Sequence, residues 1–362
     1  MISTEVKYPK TDPAQFFKIL RTRVNDYFKQ KQISRKGTQK SLVKGGISLT
    51  ILLMPYAMIL SMNLPEWFML ILCVVMGIGM SLVGANVMHE ACHGAFSPNR
   101  WINSIAANTM YLLGGDKLVW QTSHNVLHHS YTNIYGHDVD LEAGNGILRF
   151  TKHAEWKPKH RYQHIYAFFL YSLLTFTWVF LTDFIKLRKF TRKGLTYQSQ
   201  TNPVKNWARL IFFKLCNYTF WLVIPILVLD LAFWKIFLGL FVMHLVSGIA
   251  LTLVFQLAHL TGITDMPIPD EAGNMENTWA IHQLYTTANW ATDNPIANWS
   301  CGGLNFQIEH HLFPAMSHIH YPEIAPIVKE TAREFGLPYY EYGTVGEALG
   351  AHYQHLWEMG RG

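Results

Sequence analysis

Gln307-Ile308-Glu309-His310-His311 is the stretch of sequence that decides how the rest of the chain is interpreted. On an α-helix, residues three and four positions apart lie on one face. Gln307, His310 and His311 would therefore present an amide oxygen and two imidazoles on the same side, and these groups are good ligands for a transition metal. The stretch predicts part of a metal site.

Two more histidine clusters with helical spacing lie upstream, His-Glu-Ala-Cys-His over 89–93 and His-Asn-Val-Leu-His-His over 124–129. Residues four apart share one helix face, whereas His129 lies about 100° further round than His128, so one helix presents histidines in two directions. A single metal ion cannot use so many ligands, and the clusters together predict a centre of two metal ions. Its candidate ligands are His89, His93, His124, His128, His129, Gln307, His310 and His311.

The composition indicates a membrane protein. Of the 362 residues, 50% are hydrophobic and only 15% are charged, whereas an average soluble domain is about 25% charged. The four cysteines are far apart and form no CxxC pair, which argues against disulfides and against a cysteine-based zinc or iron–sulfur site. The net charge of +6 fits the cytoplasmic face of a membrane better than nucleic acid, because basic residues flank the apolar runs.

Four apolar runs are long enough to cross about 30 Å of hydrocarbon at about 1.5 Å per residue. The connections between the first and second and between the third and fourth are short, so the runs pair into two hairpins. The predicted transmembrane segments are approximately 45–65, 67–88, 210–229 and 236–260.

Two further apolar segments do not fit a crossing. Residues 101–114 are too few to span a bilayer, so an interfacial or re-entrant helix is predicted there. Residues 165–182 are numerous enough, but the following loop from Lys186 to Lys214 is rich in lysine and arginine and has no acidic residue. The positive-inside tendency places that loop in the cytoplasm, so this segment should begin and end on the same side of the membrane.

The whole pattern predicts an all-α integral membrane protein. Residues 1–44 are expected to form an amphipathic cytoplasmic segment, because apolar and basic positions alternate at helical spacing within 16–24. Residues 45–362 are expected to form one domain of four transmembrane helices, interfacial helices and a histidine-rich cap. The basic N-terminus places both termini and the metal centre on the cytoplasmic side. The first 40 residues contain no apolar core, so we expect no cleaved signal peptide.

Acidic and amide side chains near the clusters are candidates for orienting the ligand imidazoles. Glu90 and Glu309 are next to cluster histidines. Asp138 and Asp140 follow the second cluster and Asn305 precedes the third. A capping role at a helix end is an equally good account of these last three.

Three more histidines have plainer explanations. His244 lies in the middle of a predicted span, where an ionisable residue is a functional candidate by default, but a single hydrogen bond between helices accounts for it. His318 and His320 follow the third cluster, and we expect them to be surface or structural residues because the ligand set is already full.

The motifs HxxxH, HxxxHH and QIEHHLFP, separated by two hydrophobic hairpins, resemble those of the integral-membrane fatty acid desaturase family over essentially the whole chain. The resemblance implies a cytoplasmic cap with two iron ions and the O2-dependent removal of two hydrogens from an acyl chain. The family also has a histidine just after its last transmembrane helix, which adds His259 to the implied ligands. Glutamine at the start of the third motif resembles front-end desaturases, which act between the carboxyl end and an existing double bond.

Three features depart from the front-end pattern. The first box has His-Glu where these enzymes have His-Asp, and the second box has three residues, rather than two, before its histidine pair. No His-Pro-Gly-Gly motif of a fused cytochrome b5 domain is present. The resemblance therefore implies a separate electron donor, of the ferredoxin or cytochrome b5 type, beside a long-chain acyl-CoA or acyl-lipid substrate, O2 and the bilayer.

Other functions compete with desaturation. A related di-iron membrane hydroxylase or ketolase would share the histidine clusters and differ in the fate of the substrate. A membrane haem protein or a divalent-metal transporter would also use histidines. A transporter, however, should place polar residues near the middle of several spans, and these spans are nearly free of them.

Overall fold

The structure is a computed structural model, and the residues that it describes are 6–12, 14–139, 146–195 and 202–361. The chain forms two compact units. We call one the histidine unit, which comprises Met1–Thr38, Ser123–Ala167 and Val254–Gly362. We call the other the spanning unit, which comprises Gln39–Thr122 and Phe168–Leu253.

Among the described residues, four helices are long and apolar enough to cross a membrane, and they coincide with the four predicted segments. They are Gln39–Ser61, Glu66–Cys92, Pro203–Val228 and Phe233–His259. The third helix begins well before its apolar run because Asn202 caps it, accepting a hydrogen bond from the Lys205 N–H, and Pro203 occupies its first position. The spans lie in the spanning unit, except that the last turn of Phe233–His259 belongs to the histidine unit.

The second and third spans are not uniform α-helices. The second runs as an α-helix over Glu66–Val83, a π-helical turn over Gly84–His89 and a final α-turn over Glu90–Cys92. The third comprises Pro203–Tyr218, the π-helical Thr219–Val223 and Ile224–Val228. Such π turns are rare and occur frequently at functional sites, and the first histidine cluster begins at the end of one.

The first hairpin is packed closely enough to require glycine. A Cβ atom added to Gly79 would lie 2.7 Å from the Cα atom of Leu52, which no real side chain can do. Close contact between helix backbones at small residues is the usual way in which membrane helices associate. It fixes the register of the helix that carries His89 and His93.

Shorter helices follow the first hairpin. Residues 101–114 form two of them, Arg100–Ala107 and Thr109–Leu112, and Lys117–Gln121 comes next. The segment predicted at 165–182 lies in two helices, Pro158–Ser172 and Leu174–Lys193, which meet at an angle of 57°. By length and composition this bent pair also passes as one broken span, so the return of the segment to its starting side stays a prediction.

A buried ion pair holds the bent segment to the third span within the spanning unit. Lys214 Nζ lies 2.8 Å from Asp183 Oδ2, and each side chain is only 4% exposed. Lys214 also donates to the backbone carbonyls of Gly114 and Trp178. Asp183 accepts a second hydrogen bond from the backbone N–H of Asp116 at 2.7 Å. The charges in this region are therefore satisfied inside the protein.

His244 makes the helix-to-helix contact expected of it. Its Nδ1 lies 3.1 Å from Thr175 Oγ1, and the same hydroxyl donates to the His244 carbonyl at 2.9 Å. The contact joins the fourth span to the bent segment, and the plainer account of this histidine holds.

The histidine unit includes the predicted amphipathic helix, which extends over Phe16–Lys31. Its buried residues are four apart: Phe16, Leu20, Val24 and Phe28. They pack with residues of the helix Tyr321–Glu334 and of the third histidine cluster in one hydrophobic core. The helix is therefore part of the body that carries the histidines, and its basic face is left exposed.

The histidine unit also contains a small sheet and several further helices. Two parallel strands of three residues, Ala288–Trp290 and Tyr340–Tyr342, pair with Ala288 opposite Tyr340. The helical elements, including two 3-10 turns, are Thr122–His128, His129–Tyr131, Pro158–Tyr162, Gln163–Ser172, Trp279–Thr286, Pro295–Ser300, Gln307–Leu312, His318–His320, Tyr321–Glu334 and Val345–Met359. The regular secondary structure of the described residues is thus almost all helical, as the sequence predicts.

Candidate metal centre

The third histidine cluster forms a helix over Gln307–Leu312, in which every residue is buried. Gln307 and His311, four residues apart, lie on one face. Asn289, at the centre of the short strand Ala288–Trp290, accepts a hydrogen bond from the backbone N–H of Ile308 at 2.9 Å. This bond fixes the first turn of the helix to the strand, so the direction of the ligand side chains is set by the core of the unit.

The second cluster lies in a π-helical turn, Thr122–His128, followed by the α-turn His129–Tyr131. In an α-helix, residues five apart point about 140° away from each other. The π-helix closes its hydrogen bonds five residues apart, and here Nε2 of His124 and Nε2 of His129 lie 3.3 Å apart. The π turn therefore accommodates the additional residue that distinguishes this box from the pattern with two intervening residues.

One candidate ligand group combines three parts of the chain. The nitrogen ligand atoms of His128, His259 and His311 all lie within 4.8 Å of one another, and all three residues are buried. His128 comes from the second box, His311 from the third box and His259 from the end of the fourth span. The structure thus brings together residues that are up to 183 positions apart, including the histidine that only the family resemblance implied.

Hydrogen bonds at Nδ1 orient two of these rings. His128 Nδ1 lies 3.0 Å from Asp138 Oδ2, and His259 Nδ1 lies 3.3 Å from the carbonyl oxygen of Thr286. The Thr286 carbonyl and the ionised Asp138 carboxylate can only accept hydrogen bonds. Each ring therefore carries its proton on Nδ1 and keeps the lone pair on Nε2. This is the tautomer that a metal ion needs, with the partner that metal-ligating histidines usually have.

His311 is oriented by a side-chain pair from elsewhere in the unit. Its Nδ1 lies 2.7 Å from Gln283 Oε1, and Thr132 Oγ1 donates to the same oxygen at 2.9 Å. Burial, and then the neighbouring imidazoles, lower the pKa of His311 well below its usual value. The ring is therefore neutral, which is the form that binds metals.

A second group in the histidine unit consists of His124, His129 and His310. The rings of His129 and His310 lie 4.8 Å apart between centroids, and those of His124 and His310 lie 6.0 Å apart and nearly parallel. His310 Nδ1 is 3.2 Å from the hydroxyl of Tyr321, which itself donates to the carbonyl of Met316. The ring of His129 also lies 4.5 Å from that of His311, and the ring of His128 lies 5.0 Å from it, so His129 borders both groups.

Gln307 lies at the first group. Its amide nitrogen is 2.9 Å from His259 Nε2 and 3.4 Å from His311 Nε2. Its amide oxygen is buried and has no hydrogen-bond partner among the described residues. The two ends of an amide are assigned from their surroundings, so either end lies at the ring nitrogens. A buried amide with one partnerless oxygen and its other end at two imidazole nitrogens fits a site that a cation completes.

The first cluster belongs to the spanning unit. The rings of His89 and His93 lie 4.9 Å apart, and the indole of Trp120 meets each of them edge-on, at 5.5 and 6.2 Å. The i, i+4 spacing therefore places both imidazoles on one side of the helix end, as predicted. Trp120 stands against both rings, which restricts their rotation.

Glu309 has partners other than an imidazole. Its carboxylate accepts hydrogen bonds from Asn289 Nδ2 at 2.8 Å and from the Tyr339 hydroxyl at 3.0 Å. Glu309 lies about 200° round the helix from Gln307, so it points away from the ligand face. Burial raises the pKa of this carboxyl to about 7, although both hydrogen bonds oppose the rise.

The other residues predicted to orient the ligand imidazoles differ in what they contact. Asp138 bonds directly to a box histidine, as described above. Asn305 instead donates to the carbonyls of Trp290 and Ala291 and to the side chain of Asn298, so it ties a loop ahead of the third box. Glu90 is buried beside the first box, and Asp140 lies outside the described residues.

His318 and His320 are buried rather than at the surface. The ring of His320 meets Phe28 of the amphipathic helix edge-on at 5.0 Å. A Cβ on Gly303, whose φ is +67°, would lie 2.8 Å from the Cβ of His318. Both histidines thus pack within the core of the histidine unit. Of the two roles expected from the sequence, surface or structural, they have the structural one.

Asn133 is the residue that sequence reasoning missed most clearly. It is fully buried, and its side-chain amide donates to the carbonyls of His259, Asp265 and Thr286 at 3.0 to 3.2 Å. Its backbone N–H donates to Asp138 Oδ2 at 3.0 Å, the oxygen that also holds His128. The only local signal is its position four residues after the second box, at a φ of 59° that asparagine tolerates better than most residues.

Comparison with known proteins agrees with this site. The family model for fatty acid desaturases matches residues 65–343. An sn-1 linoleoyl-lipid 6-desaturase of Arthrospira platensis is 35% identical over 99% of this chain and 96% of its own length. One from Synechocystis sp. is 34% identical over 97% of each chain. An acyl-lipid (8-3)-desaturase of Physcomitrium patens is 31% identical over 98% of this chain and 74% of its own.

The histidine geometry and these similarities agree with each other. The matched region contains all three boxes and His259, and similarity to the two cyanobacterial relatives extends over nearly the full length of both partners. The chain belongs to the fatty acid desaturase family, and it is an oxidoreductase that desaturates fatty acyl chains.

Proposed function

We propose that this enzyme is a front-end acyl-lipid desaturase that introduces a cis double bond between the carboxyl end and an existing double bond of a long acyl chain. The observation that carries the proposal is Gln307, which occupies the first position of the third box and lies at the nitrogens of His259 and His311. The two cyanobacterial relatives, named for a linoleoyl-lipid substrate and for carbon 6, support the same reaction.

We propose further that two iron ions are bound by the six histidines grouped in the histidine unit and by His89 and His93 of the first box. Support comes from the neutral rings whose Nδ1 atoms are engaged and from the orphaned oxygen of Gln307. Imidazole is a good ligand for iron. Bound iron would supply the activation of O2 that is needed to remove hydrogen from an unactivated methylene group.

The chain's own residues have three tasks in this proposal. Asp138, Gln283 and the Thr286 carbonyl hold protons at Nδ1, so that Nε2 of each ring faces the metal. Asn133 keeps the second box and the end of the fourth span in register. Burial of the ligand helix excludes water, which restricts the oxidation to the bound acyl chain.

The balance of the reaction requires a reductant. Removing two hydrogens from the acyl chain and reducing O2 to two molecules of water consumes two further electrons and two protons. We propose a separate electron donor of the ferredoxin or cytochrome b5 type, with both termini and the site on the cytoplasmic side. The exposed basic residues of the helix Phe16–Lys31 would attract an acidic donor protein.

The reaction is tested by expressing the enzyme in a host that lacks polyunsaturated lipids and is supplied with linoleate. Lipids are then hydrolysed separately at the sn-1 and sn-2 positions, and the double bonds are located by mass spectrometry. We expect a product two mass units lighter, with its new double bond at carbon 6 and at sn-1. A product sixteen units heavier would identify a hydroxylase, and a new bond on the methyl side would refute front-end action.

The electron donor and the sidedness need separate experiments. Enzyme in vesicles should turn over with reduced ferredoxin or reduced cytochrome b5. If neither donor supports turnover, the proposal is contradicted. Protease added to sealed inside-out vesicles should cleave epitope tags at both termini. Protection of either tag would place that terminus on the opposite side.

A further inference from the structure

The spanning unit contains a cavity of about 270 Å³ at the end of the helices where the two hairpins turn. All four spans contribute to its wall. Its volume is close to the lower end of the range for small-ligand pockets, about 300 Å³. None of the box histidines lines it, so the metal centre does not account for it.

The deep part of the cavity is apolar. Met76 and Met243 line it together with the rings of Tyr56 and Trp221. The two polar groups there already have partners, because the Tyr56 hydroxyl donates to the carbonyl of Phe220 and Trp221 Nε1 donates to the carbonyl of Leu112. Water would find no hydrogen bonds in such a space, so a hydrocarbon is the occupant that its chemistry suits.

The outer part of the cavity is charged and aromatic. Glu66 and Lys235, from the turns of the two hairpins, form an ion pair on its wall. Trp67 and Trp234 stand beside them, and each is more than 60% exposed. Tryptophan at the end of a span marks the level of the lipid headgroups. A lysine ammonium has three donors, and Glu66 accounts for one of them.

The depth of the cavity matches one leaflet. Its wall extends along the second span from Glu66 to Met76, and ten residues of α-helix measure about 15 Å. Half of the hydrocarbon core of a bilayer has about the same thickness. The cavity is therefore charged at headgroup level and apolar over the length that one acyl chain occupies.

We propose that this cavity binds a phospholipid of the bilayer leaflet on the side of the hairpin turns, with one acyl chain between the four spans and the phosphate beside Lys235. The site lies at the opposite end of the second and fourth spans from His89 and His259. The bound lipid is thus distinct from the substrate, and its presence does not depend on the regiospecificity or the metal content proposed above.

Two glycines provide a matched pair of variants. Gly239 lines the cavity, and an added Cβ would meet only the Cys73 sulfur, at 3.0 Å. Gly239→Leu therefore fills part of the cavity once the Cys73 side chain shifts by a few tenths of an ångström. Gly46 lies in the first span with nothing within 4 Å of an added Cβ. Gly46→Leu adds the same atoms to a helix surface outside the cavity.

The test is photo-crosslinking in nanodiscs of phosphatidylcholine that contain a trace of phosphatidylcholine with a diazirine midway along one chain. Peptide mapping gives the ratio of label at Met76 and Met243 to label at Ile71, which is exposed on the outside of the second span. We expect a high ratio in the wild type and in Gly46→Leu, and a reduction of at least tenfold in Gly239→Leu. Equal ratios in all three proteins would overturn the proposal.

Two further variants test the cavity independently of Gly239 and test the phosphate contact. Cys73→Leu fills the same part of the cavity from the second span and should give the same loss, so that a failure of Gly239→Leu to fold does not remove the test. Lys235→Gln should lower the ratio about threefold or more for the phosphatidylcholine probe and leave it unchanged for a diacylglycerol with the same diazirine. An equal effect on both probes would refute the phosphate contact.

Discussion

The histidine unit and the spanning unit both bury polar side chains, but they satisfy them differently. In the spanning unit, the charges of Lys214 and Asp183 meet each other and backbone groups. In the histidine unit, the buried groups are mainly neutral imidazoles and amides. His128, His259 and His311 are each satisfied at Nδ1, and their remaining nitrogens converge.

The comparison shows how buried polar groups that hold the fold together differ from those that can bind a ligand. A buried ion pair whose donors and acceptors are used within the protein holds helices together and offers nothing to a ligand. In the convergent group, rings held at Nδ1 by Asp138, Gln283 and the Thr286 carbonyl direct their ligand nitrogens at one point. Burial of polar residues is common to both units, whereas the convergence of several ligand nitrogens marks the candidate metal site.

The largest expected effect is that of removing a ligand from the convergent group. His311→Ala should reduce activity to background and lower the iron content per chain, because a bound metal would lose an imidazole that no neighbour can replace. Iron is measured by mass spectrometry on purified protein, and activity as product per chain.

The matched control for that variant is His355→Asn, which alters an equally buried histidine whose Nε2 contacts the carbonyl of Phe150 at 2.8 Å. It should retain its iron. Full activity in His311→Ala, or iron loss in both variants, would show that the convergent group does not bind the metal.

The second prediction concerns the buried ion pair of the spanning unit. Lys214→Met should lower the free energy of unfolding by about 3–5 kcal/mol, because it leaves the Asp183 carboxylate buried without its counter-charge. Denaturant titration in micelles measures this loss, and the iron per folded chain should not change.

Adding Asp183→Asn to Lys214→Met removes the uncompensated charge and should restore part of the stability. If the double variant is less stable than the single one, the ion pair is not what holds the bent segment to the third span.

The third prediction compares two buried asparagines, one in each unit. Asn133→Asp places a carboxylate against three carbonyls and should weaken metal binding about 10–100-fold, as is usual for residues that position ligands. Chelator competition with Co²⁺, followed by its visible absorption, measures the affinity without any turnover.

Asn217 is the counterpart in the spanning unit, where its amide donates to the carbonyls of Tyr111 and Leu112. Asn217→Asp should destabilise the protein and leave the Co²⁺ affinity as it is. Similar losses of affinity in the two variants would mean that Asn133 acts only through overall stability.

The last prediction is a gradual dependence of stability on pH. Burial lowers the pKa of His352 to about 4, although its contact with the Leu260 carbonyl opposes the shift. Above about pH 6.5 the ring is neutral in both states. Between about 6.5 and 4 only the unfolded state takes up the proton, so stability falls by about 1.4 kcal/mol per pH unit as the pH is lowered.

His352→Gln removes this contribution and should give a shallower slope over the same interval in denaturant titrations. The difference between the two slopes isolates His352 from the histidines of the metal centre. Identical slopes would contradict the assigned shift.

Much of this architecture is predictable because its signals are local. The four spans follow from runs of apolar residues, and the box histidines from spacings of three to five residues. The boundaries are less predictable: the third span begins at Pro203 rather than 210 because a cap and a proline extend it beyond the membrane run. Glu309 shows the same limit of prediction from sequence. Its position next to His310 suggests that it contacts an imidazole, but on the helix it points away from the ligand face.

The residues that orient the ligands are the least predictable part. Gln283 and Thr132 meet His311 across 28 and 179 positions of sequence, and Asn133 reaches His259 across 126. Each has an ordinary residue type in an ordinary context, so no pattern distinguishes it. His259 was identified only through the family resemblance, because a single histidine at the end of a span suits the membrane interface equally well.

The π-helical turn of the second box has a consequence for chain length. It allows His124 and His129 to meet although five positions separate them, so the turn carries one residue more than an α-turn needs. Deleting Asn125 would shorten the box to two intervening residues and let the turn close as an ordinary α-helix with the same rings in place. We therefore expect the box to work at either length with the same three histidines.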